Sequence, residues 1–249
     1  WFFLQLFKGG HALAVAPAAH YFEGGIAIDP SMATGLVGLF AAGECTGGLF
    51  GANRVTAATT EMLVEGAVAG VSAAALACDA GPKVAPASLI AGMEDGLMAP
   101  FGRTGGASPR EIIRCLKEAT SRSLYVLRNA EDLGAALEIV TGLQGELRDV
   151  SFTQQSPVYN REWMEYLMLR NALVTARAIL TSALARCESR GVHIRSDCFH
   201  TDNDAQLCNY RVTNTGMQVE KTPVKNSAPP DAGVHGYSGY IETVVSRLS

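Results

Sequence analysis

Along this chain the spacing of apolar and polar positions changes period several times, and each change predicts an element. LVGLFAAGE, Leu36 to Glu44, is a near-continuous apolar run ending in glycine and acid, which predicts a strand buried on both faces. The helix-like TEMLVEGAVAG follows, with Thr59 and Thr60 read as its caps and Glu61 as a favourable charge in its first turn. Ser108-Pro109-Arg110-Glu111 combines an N-cap serine, a proline at the first helical position and a glutamate that closes a capping box. Ile113, Leu116, Thr120, Leu124 and Leu127 continue at helical spacing, so a helix is expected near 109–128. Asn129 caps a second near 130–148, striped by Leu133, Leu137, Val140, Leu143 and Leu147. Asn160 opens a third near 161–189, where Leu169, Leu173, Ala176, Leu180, Leu184 and Cys187 face away from Arg170 and Arg177. Three amphipathic helices with short to moderate connections predict a small antiparallel three-helix bundle.

The flanking segments read differently. Asp79 to Ala107 holds three of the ten prolines and six of the 26 glycines, as a linker or surface arm does. LCNYRV, a turn at Thr213-Asn214-Thr215-Gly216 and MQVEKT predict a β-hairpin. From Asn226 onward Pro, Gly and Tyr replace any period. The sequence therefore divides into 1–78, 79–107, 108–195 and 196–249.

Composition narrows the class. With 48% hydrophobic residues in 249, the chain can bury a proper core. Twenty basic and 24 acidic residues give a net charge of −4 without a basic run, so nothing points to nucleic acid or an anionic membrane surface. The longest uncharged apolar run, Gly66 to Cys78, is short for a bilayer span and rich in alanine and glycine. WFFLQLFKGGHALAVAPAA lacks the basic start of a signal peptide and reads as the tail of a packed domain. Six cysteines without CxxC or regular spacing suit small buried thiols, Cys115 and Cys187 on helix faces among them, and a reducing compartment. Cys198 and Cys208 are near enough in sequence to leave a disulfide open.

The residues with chemistry cluster between His20 and Gly70. Arg54, in GANR, offers the forked donors that grip a carboxylate in two bonds. His20 precedes Tyr21 and the Gly24-Gly25 pair, and Glu44 sits at the carboxyl end of the apolar run, where α/β sheets place ligand contacts. His193, Asp197, His200 and Asp202 invite a metal reading, but their spacing matches no standard zinc or calcium loop.

HYFEGGI, LFAAGE and GANR in this order resemble the flavoproteins of the fumarate reductase and succinate dehydrogenase family, a group that includes L-aspartate oxidase and adenylylsulfate reductase. A second stretch, Arg186-Cys187-Glu188-Ser189-Arg190-Gly191-Val192-His193-Ile194-Arg195-Ser196-Asp197, is close to the RxESRGxHxRxD signature that ends the helical domain of the same family. The resemblance implies an FAD-dependent oxidoreductase acting on a carboxylate substrate. His20 and Arg54 would each hold a substrate carboxylate, Glu44 would accept hydrogen bonds from the flavin ribityl hydroxyls, and Asn53, Thr59 and Thr60 would meet the cofactor. Glu188, Arg190 and His193 are expected in a structural polar network. VTAAT, Val55 to Thr59, stands where the family usually has Leu-Gly-Gly-Asn-Ser-Leu, one residue shorter and without the asparagine.

No GxGxxG, the turn that lets backbone approach a dinucleotide pyrophosphate, occurs in the sequence, and the chain starts at Trp1. The expectation is a C-terminal half or subunit, inactive by itself, that shares FAD with an N-terminal flavin-binding polypeptide; the attachment mode of the flavin stays open. An iron–sulfur electron-transfer subunit is a further implied partner, and the family's proton-donating arginine is expected outside this chain. The setting implied is a cytoplasmic heteromer, peripheral at the inner face of a membrane through partners. Alternatives are an L-aspartate oxidase-like or adenylylsulfate reductase-like enzyme part, or a noncatalytic degenerate flavoprotein scaffold. The fold class expected is α+β: a partial α/β FAD-binding domain, the helical bundle and a small tail containing a β-hairpin.

Overall fold

The sequence forms helices wherever a helical stripe coincides with a cap. A computed structural model describes residues 8–9, 20–48, 51, 54–202, 208–212 and 217–223, with backbone alone at 54–56, 208–211 and 222–223. The elements in chain order are α1 (Arg54–Ala80), α2 (Ala87–Met98), α3 (Pro109–Ser123), β1 (Leu127–Arg128), α4 (Ala130–Glu146), α5 (Arg161–Ala185), β2 (Ile194–Arg195), β3 (Cys208–Val212) and β4 (Val219–Pro223). Short 3-10 turns lie at Gly43–Cys45 and Leu147–Asp149. The chain divides into two units, Trp1–Gly81 and Pro82–Ser249.

In the second unit all three helix starts follow the caps read from sequence. Ser108 Oγ accepts from Glu111 N while Glu111 Oε2 accepts from Ser108 N, the reciprocal capping box. Asn129 Oδ1 accepts from Asp132 N at 2.8 Å, and Asn160 Oδ1 accepts from Trp163 N at 2.9 Å. The three helices share one core, with Ile112 and Leu116 from α3, Leu133, Ala136, Val140 and Leu143 from α4, and Leu169, Leu173, Ala176 and Leu180 from α5. Phe101, Phe152, Tyr166 and Trp163 close one side through edge-on ring contacts at 5.0 to 5.8 Å.

Two helix ends come earlier than periodicity suggests. After α3 the chain turns extended so that Leu127 and Arg128 pair in parallel with Ile194 and Arg195, a two-stranded sheet that the sequence did not announce. α5 stops at Ala185, because Arg186 is extended and the Arg195 guanidinium takes the carbonyls of Ala183 and Arg186. Cys187 thus lies beyond the helix and is exposed rather than on its apolar face, whereas Cys115 packs against the core. Cys45, Cys78, Cys115, Cys187 and Cys198 are free thiols; the side chain of Cys208 lies outside the described residues. Within 79–107 the chain forms α2, none of whose residues is buried. β3 and β4 pair antiparallel from Cys208↔Pro223 to Val212↔Val219, as the alternating segments predict.

In the first unit the apolar run from Leu36 to Glu44 is not a buried strand. Gly38 takes φ 87° and Leu39 N donates to Leu36 O, so the run folds back on 32–34 as a tight turn and leaves Val37 98% exposed. Ala33 and Phe40 form the single bridge of this turn, and the run ends in the 3-10 turn at Glu44. α1 starts at Arg54, so Thr59 and Thr60 stand inside the helix rather than at its cap, and Glu61 is buried beyond the first turn. α1 is also longer than the apolar run inside it. By length and composition alone, Ala57–Ala80 and Arg161–Ala185 are long and apolar enough to cross a membrane; the second of these spends its apolar stripe on the helical core.

Candidate functional site

Backbone contacts bring the His20 and Glu44 segments together. Ile26 N donates to Cys45 O at 2.8 Å and Gly47 N to Ile26 O at 2.9 Å, a parallel bridge centred on Thr46. Gly25 makes the approach possible, since a Cβ there would stand 2.3 Å from Cys45 O and 2.4 Å from Thr46 O. Phe22 N then donates to Glu44 Oε1 at 3.1 Å. His20, just upstream, is exposed, its ring 6.5 Å from that of Tyr21. Glu44 is exposed as well, and its Oε2 takes no donor among the described residues, so this oxygen can accept from hydroxyls of a ligand.

The turn that presents Glu44 rests on a buried acid that sequence reasoning missed. Gly43 takes φ 77° and its N–H reaches Glu65 Oε2 at 2.7 Å. Thr46 Oγ1 lies 2.9 Å from Gly43 O and 3.2 Å from Glu65 Oε2, one hydroxyl proton between two acceptors. Glu65 is 1% exposed and its Oε1 has no hydrogen-bond partner among the described residues. The signal was available: Glu61 and Glu65 are four apart within an apolar stretch, so they share one face of α1. That face is the buried one, and both acids are buried while Met62, Leu63 and Val64 are exposed.

Arg54 is the first residue of α1, which places the free N–H groups of the helix start at 54–56. Thr59 and Thr60 are exposed one turn further on; their own N–H groups belong to the helix ladder, leaving only their hydroxyls for a ligand. The side chain of Arg54 and all of Asn53 lie outside the described residues.

The second motif builds a polar knot at the end of α5. Glu188, 5% exposed, binds Arg186 and Arg190 and accepts from Asp202 N at 2.9 Å, while Arg190 Nη2 donates to Asp202 O. Burial alone would raise the Glu188 carboxyl, but the Arg190 and Asp202 donors and the two arginine charges outweigh it and hold it below the usual range. Arg195, 1% exposed, forks onto Asp197 at 2.7 and 2.8 Å. The fork, against a smaller desolvation and helped by Ala130 N at the start of α4, lowers Asp197 to about 2. His193 Nε2 faces Arg186 O at 3.2 Å and Nδ1 faces Arg128 Nη1 at 3.1 Å, which assigns the proton to Nε2. Burial first, then the charges of Arg128, Arg186 and Arg195, lower His193 to about 4 despite the Arg186 carbonyl. Among the described residues no three His, Cys, Asp or Glu side chains converge on a metal position, and both nitrogens of His193 are engaged in the knot.

The two motif regions follow one another in the chain order that the family has. A model described as FAD binding domain matches residues 10–60, and one described as fumarate reductase flavoprotein C-term matches 114–233. The chain belongs to the fumarate reductase and succinate dehydrogenase flavoprotein family. A CoM/CoB fumarate reductase polypeptide of Methanothermobacter marburgensis is 38% identical over 186 residues, 74% of this chain and 34% of that protein. L-aspartate oxidase of Caulobacter vibrioides is 36% identical over 193 residues, 76% of this chain and 30% of that enzyme. A solved Escherichia coli quinol fumarate reductase structure superposes with a TM-score of 0.77 at 30% identity, over 90% of this chain and 40% of that one. The chain spans 30 to 40% of the length of these relatives. Its mixed helical fold with small sheets is similar to the matched part of the fumarate reductase flavoprotein. His20, Glu44 and Arg54 fall within the first match, and the Glu188 to Asp197 knot within the second.

Proposed function

We propose that this chain completes the flavin and carboxylate-substrate site of an FAD-dependent oxidoreductase of the fumarate reductase and succinate dehydrogenase type. Bound FAD supplies hydride exchange at its N5. Arg54 grips one substrate carboxylate in two bonds and His20 donates to the other, which fixes the reacting carbon before transfer. Glu44 accepts from the ribityl hydroxyls. With FAD bound, the N–H groups that open α1 would stabilise the negative charge of the reduced ring, and Asn53, Thr59 and Thr60 would hold the cofactor. The observation that supports this reading best is the Phe22 N to Glu44 bond with the Ile26–Thr46 bridge, which joins the substrate histidine's segment to the cofactor acid's turn.

The same proposal assigns the GxGxxG turn and the proton-donating arginine to a flavin-binding polypeptide outside these 249 residues, so FAD is shared and the chain alone is inactive. It includes an iron–sulfur partner, a heteromer at the cytoplasmic face of a membrane, and an antiparallel order for α3, α4 and α5, which share one core. A dicarboxylate carrying an amine fits the same clamp, and the likeness to an L-aspartate oxidase supports that as a second reading.

The test is steady-state kinetics on the flavoprotein reconstituted with its flavin-binding polypeptide, using fumarate with a reduced dye in one arm and L-aspartate in the other. Arg54→Lys keeps folding and flavin absorbance but lowers kcat/KM by about 2–4 kcal/mol in transition-state terms, because lysine keeps the charge and loses the fork. Near wild-type turnover in both Arg54→Lys and His20→Ala removes the carboxylate clamp and leaves the noncatalytic scaffold.

A further inference from the structure

The second unit contains a cleft of about 260 Å³ lined by three arginines and no acid. Arg103 comes from the segment after α2, Arg148 from the 3-10 turn after α4, and Arg170 from α5, while Gly96 and Ala99 leave the floor open. None of the three makes an ion pair or a side-chain hydrogen bond among the described residues. The contrast within this unit is sharp: Arg110, Arg114, Arg122, Arg161, Arg186, Arg190 and Arg195 each lie within salt-bridge distance of a carboxylate. A chain with 24 acidic and 20 basic residues does not lack acids to neutralise this trio.

Two further features point inward. Arg103 Nη1 is buried with no hydrogen-bond partner among the described residues, a donor in a position where a missing acceptor is costly. The Arg170 guanidinium stands 5.9 Å over the Tyr166 ring, and Tyr166 is part of the core, so that ring holds the charge at the cleft mouth. Three arginines from separate segments line the one cleft, and a guanidinium offers forked donors to an oxyanion. The volume lies below the roughly 300–1,000 Å³ of sites for drug-sized ligands, which restricts the occupant to a small one.

We propose that this cleft binds a small oxyanion carrying two negative charges, of phosphate or dicarboxylate type, apart from the His20 and Arg54 clamp. Isothermal titration of the full chain with inorganic phosphate and, separately, with succinate distinguishes the two chemistries, sodium chloride at matched ionic strength serving as control. Saturable one-to-one binding is expected in at least one arm. Arg148→Ser and Arg170→Ser, both at exposed positions, each weaken it at least tenfold, as does Arg103→Met where its melting curve matches wild type. His20→Ala leaves it unchanged, which keeps the result separate from the proposed enzyme site. Failure of both anions to saturate, wild-type affinity in Arg148→Ser and Arg170→Ser, or loss of binding in His20→Ala overturns the proposal.

Discussion

The two units of the chain hold their shape by different means. From Pro82 onward the fold closes over leucines with no exposed surface, Leu133, Leu173 and Leu180 among them. In Trp1–Gly81 the most buried described side chains are polar, Thr46, Glu61 and Glu65, while Val37 is 98% and Leu63 67% exposed. The site-bearing segments are thus positioned by backbone hydrogen bonds, glycine geometry and a buried acid, whereas the helical unit is positioned by apolar burial. Cavities should therefore break one and single methyl groups the other.

The largest effect belongs to the helical unit. Leu173→Ala removes a fully buried side chain between three helices and is expected to cost about 3–5 kcal/mol, read from urea denaturation followed by circular dichroism. A loss under ~1.5 kcal/mol would show a core able to collapse around the gap.

The polar knot of the same unit adds a pH dependence. His193 is held neutral in the fold at about 4, against 6.5 when unfolded. Its folded value is the lower one, so the unfolded chain binds the extra proton first; stability is flat above pH 6.5 and falls as pH drops toward 4. The loss over that window is on the order of 2–3 kcal/mol. Asp197 is also depressed, to about 2, and its contribution is lost only below the ordinary carboxylate range, so the two windows separate. Denaturation midpoints between pH 4 and 7 should slope in the wild type and flatten in His193→Asn. An equal slope in both assigns the effect to other groups.

What was legible in the sequence follows the same division. Ser108, Asn129 and Asn160 each act on the N–H group three residues on, so the starts of α3, α4 and α5 could be read locally. The ends of α3 and α5 depend on β1 meeting β2 and on Arg195 reaching back to Ala183, contacts between distant residues that no local period encodes. In the first unit, HYFEGG and LFAAGE marked two segments that meet through the Ile26–Thr46 bridge, but not the geometry of either. An apolar run reads alike as a buried strand or a glycine turn, and Gly38 decided for the turn. Glu65 went unread because acids in a helix are ordinarily solvated, even a pair four apart, and its burial depends on Gly43 and Thr46 supplying donors from the preceding turn.

A smaller effect, confined to the first unit, tests its dependence on backbone approach. Gly25→Ala places a methyl group where two carbonyl oxygens already stand, with an expected local cost of about 1–3 kcal/mol. Native-state hydrogen exchange should show the Ile26 and Gly47 amides, which form the bridge, exchanging faster, while the Leu173 amide keeps wild-type protection. Unchanged exchange at Ile26 and Gly47 would show that the bridge does not need glycine.

The smallest effect compares hydroxyls that look alike in the sequence and differ in the fold. Ser108 and the Thr59-Thr60 pair both precede an amphipathic run with an acid close behind, and both read as N-caps. Ser108 Oγ does accept from Glu111 N, so Ser108→Ala removes that cap bond, leaving Glu111 N only the Ser108 carbonyl at 3.1 Å, and should cost about 1 kcal/mol. Thr59 and Thr60 are exposed within α1, where the N–H groups already bond along the helix. Alanine there removes β-branching, so Thr59→Ala and Thr60→Ala should leave stability unchanged or raise it by a few tenths of a kcal/mol. Thermal melts of the three variants decide it. A cost near 1 kcal/mol in either threonine variant would move the start of α1 from Arg54 to the threonines and take the free helix N–H groups away from GANR. Silence in stability with a fall in flavin content would instead tie these two hydroxyls to the cofactor.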